Sequence, residues 1–282
     1  MSEIVDQPGI YADIPDDVYH SDKGSLSSSG ARKLLPPSCP AIFRYEQDNP
    51  PAPKDEYDMG HAVHTLVLGV GAPIVRIDVD AWTTKAAREQ RDAARAEGKV
   101  PLKAADYDAA VAMANAVRCH PVAAMLLRDG LAEHSIYWRD SETGVMLRAR
   151  PDWLPRTGPG GRLVIVDYKT STSASPDKFR SAAADYGYHQ QAEWYRDGVA
   201  AVGMSEDPAF VFVVQEKKPP YLVSVVELDN DALMLGRRLN RRAIDTYAEC
   251  VAADHWPTWG DDVHLVSLPT WAFYQNAEVI SE

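Results

Sequence analysis

Asp152 closes an apolar stretch at residues 145–153, and Asp167-Tyr168-Lys169 follows the run Leu163-Val164-Ile165-Val166. Successive side chains of a strand point to opposite faces, so Asp167 and Lys169 share one face while Tyr168 takes the other. Carboxylate oxygens are what a hard divalent cation takes, and an ammonium beside them orients a water or neutralises a phosphate oxygen. The chemistry such a group supports is hydrolysis of a phosphodiester. Alone, a D-x-K triplet more often marks the solvated end of a strand, because short motifs match by chance. The run ahead of it, however, is continuous rather than alternating, which predicts a strand buried on both faces. A charged pair straight after such a run needs partners or a metal, since unpaired buried charge is expensive.

The elements that would position these groups can be read in outline. Residues 58–69 predict a short buried helix carrying His61 and His64. His64 is open to two readings, a satisfied core histidine or a metal ligand. Residues 133–140 and 145–153 flank Ser141-Glu142-Thr143-Gly144 and predict a hairpin, with Arg148, Arg150 and Asp152 on one face. Those arginines either grip phosphates with their forked donors or pair with Glu133 and Asp140. Ser175-Pro176-Asp177 starts a helix, and on the next helix Tyr188, Gln191 and Tyr195 share a face. Gln191 is a poor core residue without a partner, so this face is expected to look onto the acids.

Near the N-terminus, Ser27, Ser28 or Ser29 caps a helix that Pro36-Pro37 ends. A helix start favours anions, which makes Ser28 and Arg32 candidates for gripping a terminal phosphate; the plain alternative is a cap. Residues 83–97 and 104–118 predict two helices. Lys85, Arg88, Arg91 and Arg95 form a stripe on the first, either a solvated face or a phosphate track. Residues 211–215 and 221–228 predict a second hairpin, residues 231–252 a last helix, and Trp256, Trp259, Trp271 and Tyr274 an aromatic tail that packs on the body or on another subunit.

The order Gly60-x-x-x-His64, Glu133, Pro151-Asp152, Asp167-x-Lys169 and Gln191-x-x-x-Tyr195 resembles the PD-(D/E)xK nuclease superfamily. Within it, the chain is most similar to the exodeoxyribonuclease VIII (RecE-type) nucleases of prophages and more distantly to lambda exonuclease. The likeness runs from Tyr11 to the hairpin near Val226 and includes Tyr19-His20 and Leu26-Ser27-Ser28-Ser29. It implies an α/β fold with a central mixed sheet flanked by helices and a helical N-terminal region. It further implies metal ligands at His64, Asp152, Asp167 and the Tyr168 carbonyl, for one or two Mg²⁺ or Mn²⁺ ions. Lys169 matches the catalytic lysine, Glu133 an acid beside the metals, and Gln191 and Tyr195 the trailing helix motif. Lambda-type enzymes carry Glu where this chain has Asp167 and lack an equivalent of His64, which favours the exodeoxyribonuclease VIII branch. The implied activity is digestion of linear double-stranded DNA from 5′ ends, with a ring-shaped homo-oligomer and a single-strand annealing (RecT-type) recombination protein as partners. An endonuclease of the same superfamily and a catalytically silent DNA-binding scaffold are the rival readings.

Composition fits one nuclease domain spanning 1–282, with an N-terminal segment 1–57, a core 58–255 and a tail 256–282. The expectation is a cytoplasmic enzyme without membrane contact, because no apolar stretch approaches the ~18 residues of a spanning helix. Three cysteines, Cys39, Cys119 and Cys250, are scattered and odd in number. That excludes a disulfide framework and a four-cysteine iron–sulfur cluster, and leaves each as a small buried hydrophobe. A net charge of −12 opposes DNA binding, which draws on Lys and Arg, so local clusters of basic residues must carry the contact.

Overall fold

The computed structural model describes residues 5–50, 58–155 and 161–276, and in it one long hairpin is shared between two sheets. Its outer arms are β5 (Gly130–Ala132) and β8 (Trp153–Pro155); its inner arms are β6 (Ser135–Arg139) and β7 (Met146–Ala149). A single antiparallel register runs through both halves, pairing Ala132 with Trp153 and Ile136 with Ala149. Gly144, at φ 72°, takes the left-handed turn position that closes it, and Asp140 accepts from the Thr143 N–H at 2.9 Å.

The continuous strand expected over residues 145–153 is broken in two. Pro151 has no N–H to give the ladder, and on the other arm Glu133 adopts φ 49°. At this break the ribbon leaves a four-stranded sheet, ordered β1-β6-β7-β2, and enters a five-stranded one, ordered β11-β10-β9-β8-β5. The added strands are β1 (Gly9–Tyr11) and β2 (Leu26–Ser27) in the first, and β9 (Val164–Ser171), β10 (Ala209–Glu216) and β11 (Val223–Val226) in the second.

β9 and β10 run parallel at the centre of the larger sheet, and their apolar runs are buried on both faces as the sequence requires. Ile165, Phe210, Phe212 and Val214 face a cluster with Trp194 of α9 (Tyr188–Ala201), Ile244 and Tyr247 of α10 (Asn230–Ala253) and Phe43 of α3 (Pro40–Asp48). Val164, Val166, Tyr168 and Val213 face the other way. They meet Ala62 and Val63 of α4 (Asp58–Leu68), Met113 and Val117 of α6 (Ala104–Cys119) and Leu126 of α7 (Pro121–Leu126). The result is an α/β fold, a mixed sheet with helices on both sides. α9 and α10 approach closely at Gly236, where an added Cβ would meet the His189 carbonyl oxygen at 2.2 Å.

The cap of α2 (Ser28–Lys33) is Ser27, whose hydroxyl accepts from the Gly30 N–H at 3.2 Å. α5 (Lys85–Ala96) is capped by Thr84 in the same way. In and beside that helix Lys85, Arg91 and Lys99 pair with Glu89, Asp92 and Glu97, the pattern of a solvated face. Trp256 packs on the body, stacked on Phe43 at 5.6 Å and edge-on to Tyr247, whereas Trp259, Trp271 and Tyr274 are exposed. Cys39 and Cys250 are buried as expected; Cys119, at the end of α6, is exposed instead. No helix among the described residues is long and apolar enough to cross a membrane.

Candidate active site

The break in the hairpin is where the acids meet. Glu133 and Asp152 sit opposite each other at the crossing between sheets, joined by a main-chain bond from the Glu133 N–H to the Asp152 carbonyl, 3.1 Å. β8 pairs with β9 through Trp153 and Val166, and the next step in that antiparallel register sets Asp152 against Asp167. There β8 has ended. The Asp152 carboxylate takes the place of a strand and accepts from the Tyr168 N–H at 2.7 Å. Two like charges on adjacent cross-strand positions oppose folding, so the arrangement needs another justification.

α4 brings His64 to this point from the far side of the sheet. Its Nδ1 lies 3.3 Å from Glu133 Oε1 and its Nε2 3.4 Å from Asp152 Oδ1. From the opposite layer α9 brings Gln191, buried, whose amide donates to Asp167 Oδ1 at 2.7 Å. Lys169 Nζ lies 2.6 Å from Asp167 Oδ2 and 5.3 Å from the centre of the Tyr188 ring. Period two along β9 explains the split: Asp167 and Lys169 face the α9 layer, while Tyr168 turns to α6 and hydrogen-bonds Gln215. Tyr195 lies one turn beyond Gln191 on α9, its ring 5.9 Å from that of Phe210. Its hydroxyl is held well above its usual range by burial, with the charges of Asp167 and Asp152 adding to the effect.

The titration pattern follows the crowding. Burial pushes Asp167 up to about 6; the Asp152 charge adds to this and Lys169 opposes it. Burial would raise Asp152 too, but the hydrogen bond and charge of His64, with Lys169 and the Tyr168 N–H, hold it below the usual carboxylate range. Glu133 is raised by burial against the pull of His64. Burial pulls the His64 imidazole down, and the bond to Asp152 with the charges of Asp152, Glu133 and Asp167 outweighs it, leaving the ring above its ordinary value. Lys169 is raised in the same manner, burial being outweighed by Asp167 and Asp152.

Three carboxylates therefore face one ammonium and one imidazole, a surplus of negative charge that a divalent cation neutralises. The donor set, carboxylates plus one imidazole, fits such an ion. As the side chains stand they pair with one another, and no group of three or more His, Cys, Asp or Glu among the described residues is arranged to hold a metal. His64 would have to exchange a carboxylate contact for a metal bond.

Other residues singled out in the sequence lie elsewhere. Arg148 is buried and spends its guanidinium on the Asp22 carbonyl, at 3.0 Å, and on both oxygens of Ser25. Arg150 binds Ser135 Oγ, Asp16 Oδ1 and the Ile14 carbonyl, and stacks 4.0 Å from the Tyr19 ring centre. Both arginines thus tie the N-terminal segment to the sheet, and among the described residues neither forms an ion pair with Glu133 or Asp140. Asp140 instead takes Arg241. Ser28 is buried with its hydroxyl unpaired among the described residues. Arg32 does approach the site: burial lowers its pKa against the opposing charges of Tyr195, Tyr188 and Asp167. It passes over Gly187, φ 65°, where an added Cβ would meet Arg32 Cδ at 2.4 Å. The sequence reading missed Gln215, whose buried amide joins Tyr168 to the Met113 carbonyl; an amide inside an apolar strand was its signal.

A crystal structure of a protein described as a putative exonuclease from Eubacterium rectale superposes with a TM-score of 0.58 at 12% identity, covering 95% of this chain and 99% of that one. That likeness bears on the fold alone. A second structure, SSO0001, overlaps at a TM-score of 0.35 and 12% identity over 80% of this chain and 76% of its own, too little to support any conclusion. No curated protein sequence matches significantly. The family model described as "PDDEXK-like domain of unknown function (DUF3799)" matches residues 27–268, a span that holds His64, Glu133, Asp152, Asp167 and Lys169. The chain belongs to that family, and with it to the PD-(D/E)xK nuclease superfamily.

Proposed function

We propose that this protein is a divalent-metal-dependent exodeoxyribonuclease of the exodeoxyribonuclease VIII branch, digesting linear duplex DNA from 5′ ends and leaving 3′ single strands. The observation that carries the reading is the meeting of His64, Glu133, Asp152, Asp167 and Lys169 where the hairpin changes sheets.

When bound, a divalent cation supplies an activated water and neutralises charge on the phosphate. Asp152, Asp167, His64 and the Tyr168 carbonyl would hold one ion, and Glu133 would help hold a second. Lys169 keeps its proton at Nζ and orients the attacking water while screening charge that develops on the phosphate oxygens. Gln191 fixes the orientation of Asp167 by donating to Oδ1, leaving Oδ2 to Lys169. Arg32, with Ser28 beside it on α2, would receive a terminal phosphate, and Tyr195 would line the approach. A homo-oligomeric ring and a single-strand annealing protein complete the proposal by resemblance.

A linear duplex labelled separately at each 5′ and 3′ end, incubated with Mg²⁺ or Mn²⁺, tests it. Early release of the 5′ label with the supercoiled circle intact is expected. First release of the 3′ label overturns the polarity, cutting of the circle makes the protein an endonuclease, and no hydrolysis with either metal leaves a silent scaffold.

A further inference from the structure

We infer that the cleft running on from Lys169 is a track for a single DNA strand, gripping phosphates next to the one being cut and stacking one base. The inference rests on the nuclease reading and adds to it a substrate subsite. The cleft has a volume of about 560 Å³ and is lined by the run Thr170-Ser171-Thr172-Ser173, the lysines 169, 178 and 217, and Tyr186.

Two hydroxyls of the run are held by main chain. Ser171 Oγ accepts from the Ser173 N–H at 3.3 Å and Ser173 Oγ from the Ser175 N–H at 3.2 Å, which takes one lone pair of each oxygen. Their O–H protons stay available to an acceptor in the cleft. Lys178, on α8 (Pro176–Asp185), and Lys217, just beyond β10, make no ion pair among the described residues; Asp185 is the cleft's carboxylate. In a chain of net charge −12, unpaired lysines beside donor hydroxyls form a local phosphate site.

The aromatic wall selects the form of nucleic acid. Phe179 stacks on Tyr188 at 5.7 Å, Tyr188 lies 5.7 Å from Tyr186, and Tyr186 is 63% exposed. The row runs from core to surface and ends on an unoccupied ring face that a base can cover. Bases within a duplex are already stacked on both faces, so a lone strand is the ligand that fits.

Fluorescence anisotropy of fluorescein-labelled oligo-dT in EDTA reads binding without cleavage. The Lys178→Ala/Lys217→Ala variant should reduce the slope of log affinity against log salt by about 1.4, two contacts at ~0.7 each. Tyr186→Ala should weaken binding about tenfold or more, and Tyr186→Phe should restore it, since stacking needs the ring alone. Arg76→Ala/Lys103→Ala, which removes equal charge from β3 (Ile74–Ile77) and β4 (Val100–Lys103), should leave slope and affinity unchanged. All variants must melt at the wild-type temperature. Wild-type slope and affinity in the double variant, or an equal loss in the Arg76/Lys103 control, overturns the track, while cleavage of linear duplex by the wild-type protein with Mg²⁺ or Mn²⁺ upholds the nuclease reading. A wild-type protein that neither binds nor cuts DNA overturns both.

Discussion

Two ionic clusters flank the buried face of α9, and they are built on opposite principles. Toward α10, Glu193 is 1% exposed and meets Arg196 and Arg237, the latter with Nε at 2.9 Å and Nη2 at 2.7 Å. Asp140 takes the two terminal nitrogens of the Arg241 guanidinium, Nη1 and Nη2, at 2.7 and 3.1 Å. Each of these acids is answered by a forked cation, the geometry in which a carboxylate is best satisfied. At the hairpin break three carboxylates share Lys169 and His64, and Asp167 is pushed up to about 6 by burial where Asp140 is brought below its usual value. A raised carboxyl alone does not distinguish the two, because burial and the Glu193 charge push Asp197 up to about 6 as well. What distinguishes them is the missing counter-charge: a cluster kept short of cations stores electrostatic cost that a divalent cation can relieve.

The contrast is broken most severely by Asp152→Asn, Asp167→Asn or Lys169→Ala. Each should lower hydrolysis by at least ~100-fold, the scale for removing one transition-state stabiliser, with the melting temperature close to wild type. Wild-type turnover by Lys169→Ala would remove the active-site assignment. Glu193→Ala should do the reverse, leaving hydrolysis in place while costing stability by removing the buried carboxylate shared by Arg196 and Arg237, although Arg196 keeps Asp207 Oδ1 at 2.9 Å. The loss should fall below the roughly 3–5 kcal/mol of breaking a buried pair, because Arg237 is 63% exposed and regains water. Urea unfolding of both sets, alongside activity, checks the crossover.

His64 belongs to the cluster at the hairpin break, where it lies between Glu133 and Asp152. If it is a ligand, His64→Ala should weaken Mn²⁺ binding at least about tenfold, since even outer partners of metal ligands cost 10–100-fold. Partial recovery of activity at high Mn²⁺ should follow. Titration calorimetry showing unchanged Mn²⁺ affinity would assign His64 to packing against Glu133 and Asp152 alone.

Much of this site was legible because it rests on local rules. Period two put Asp167 and Lys169 together and sent Tyr168 away, and helical spacing put Gln191 on the face that reaches them. The turn residues at 141–144 announced the hairpin. What the sequence hid was non-local. Pro151 signals a break in the strand but not that the ribbon enters a second sheet there, and that crossing is what brings Glu133 beside Asp152. Arg148 and Arg150 looked like phosphate grips because they share a strand face with Asp152; their partners Asp22, Ser25 and Asp16 lie more than a hundred residues away in sequence. Such pairings are set by tertiary packing, which strand periodicity does not encode.

The smallest expected effect lies in the satisfied cluster and is read by pH. Burial alone would push Asp140 up, but hydrogen bonds from Arg241 and Thr143 and the charge of Arg241 more than reverse it, so its folded pKa is depressed. With side chains 11% and 29% exposed, the Asp140–Arg241 pair is screened only in part. A depressed folded pKa means that the unfolded chain binds the proton more readily. The stabilisation is therefore complete above the unfolded value near ~3.9 and is lost as pH falls through the folded value. Asp140→Asn should cost about 1 kcal/mol at pH 7, the upper end for a pair near the surface, and nothing once wild-type Asp140 is itself protonated. Denaturant midpoints of the two proteins that converge on acidification establish the pair. A gap that stays constant from pH 7 to below the folded value would instead place the effect in the Thr143 turn contacts, which outlast the charge.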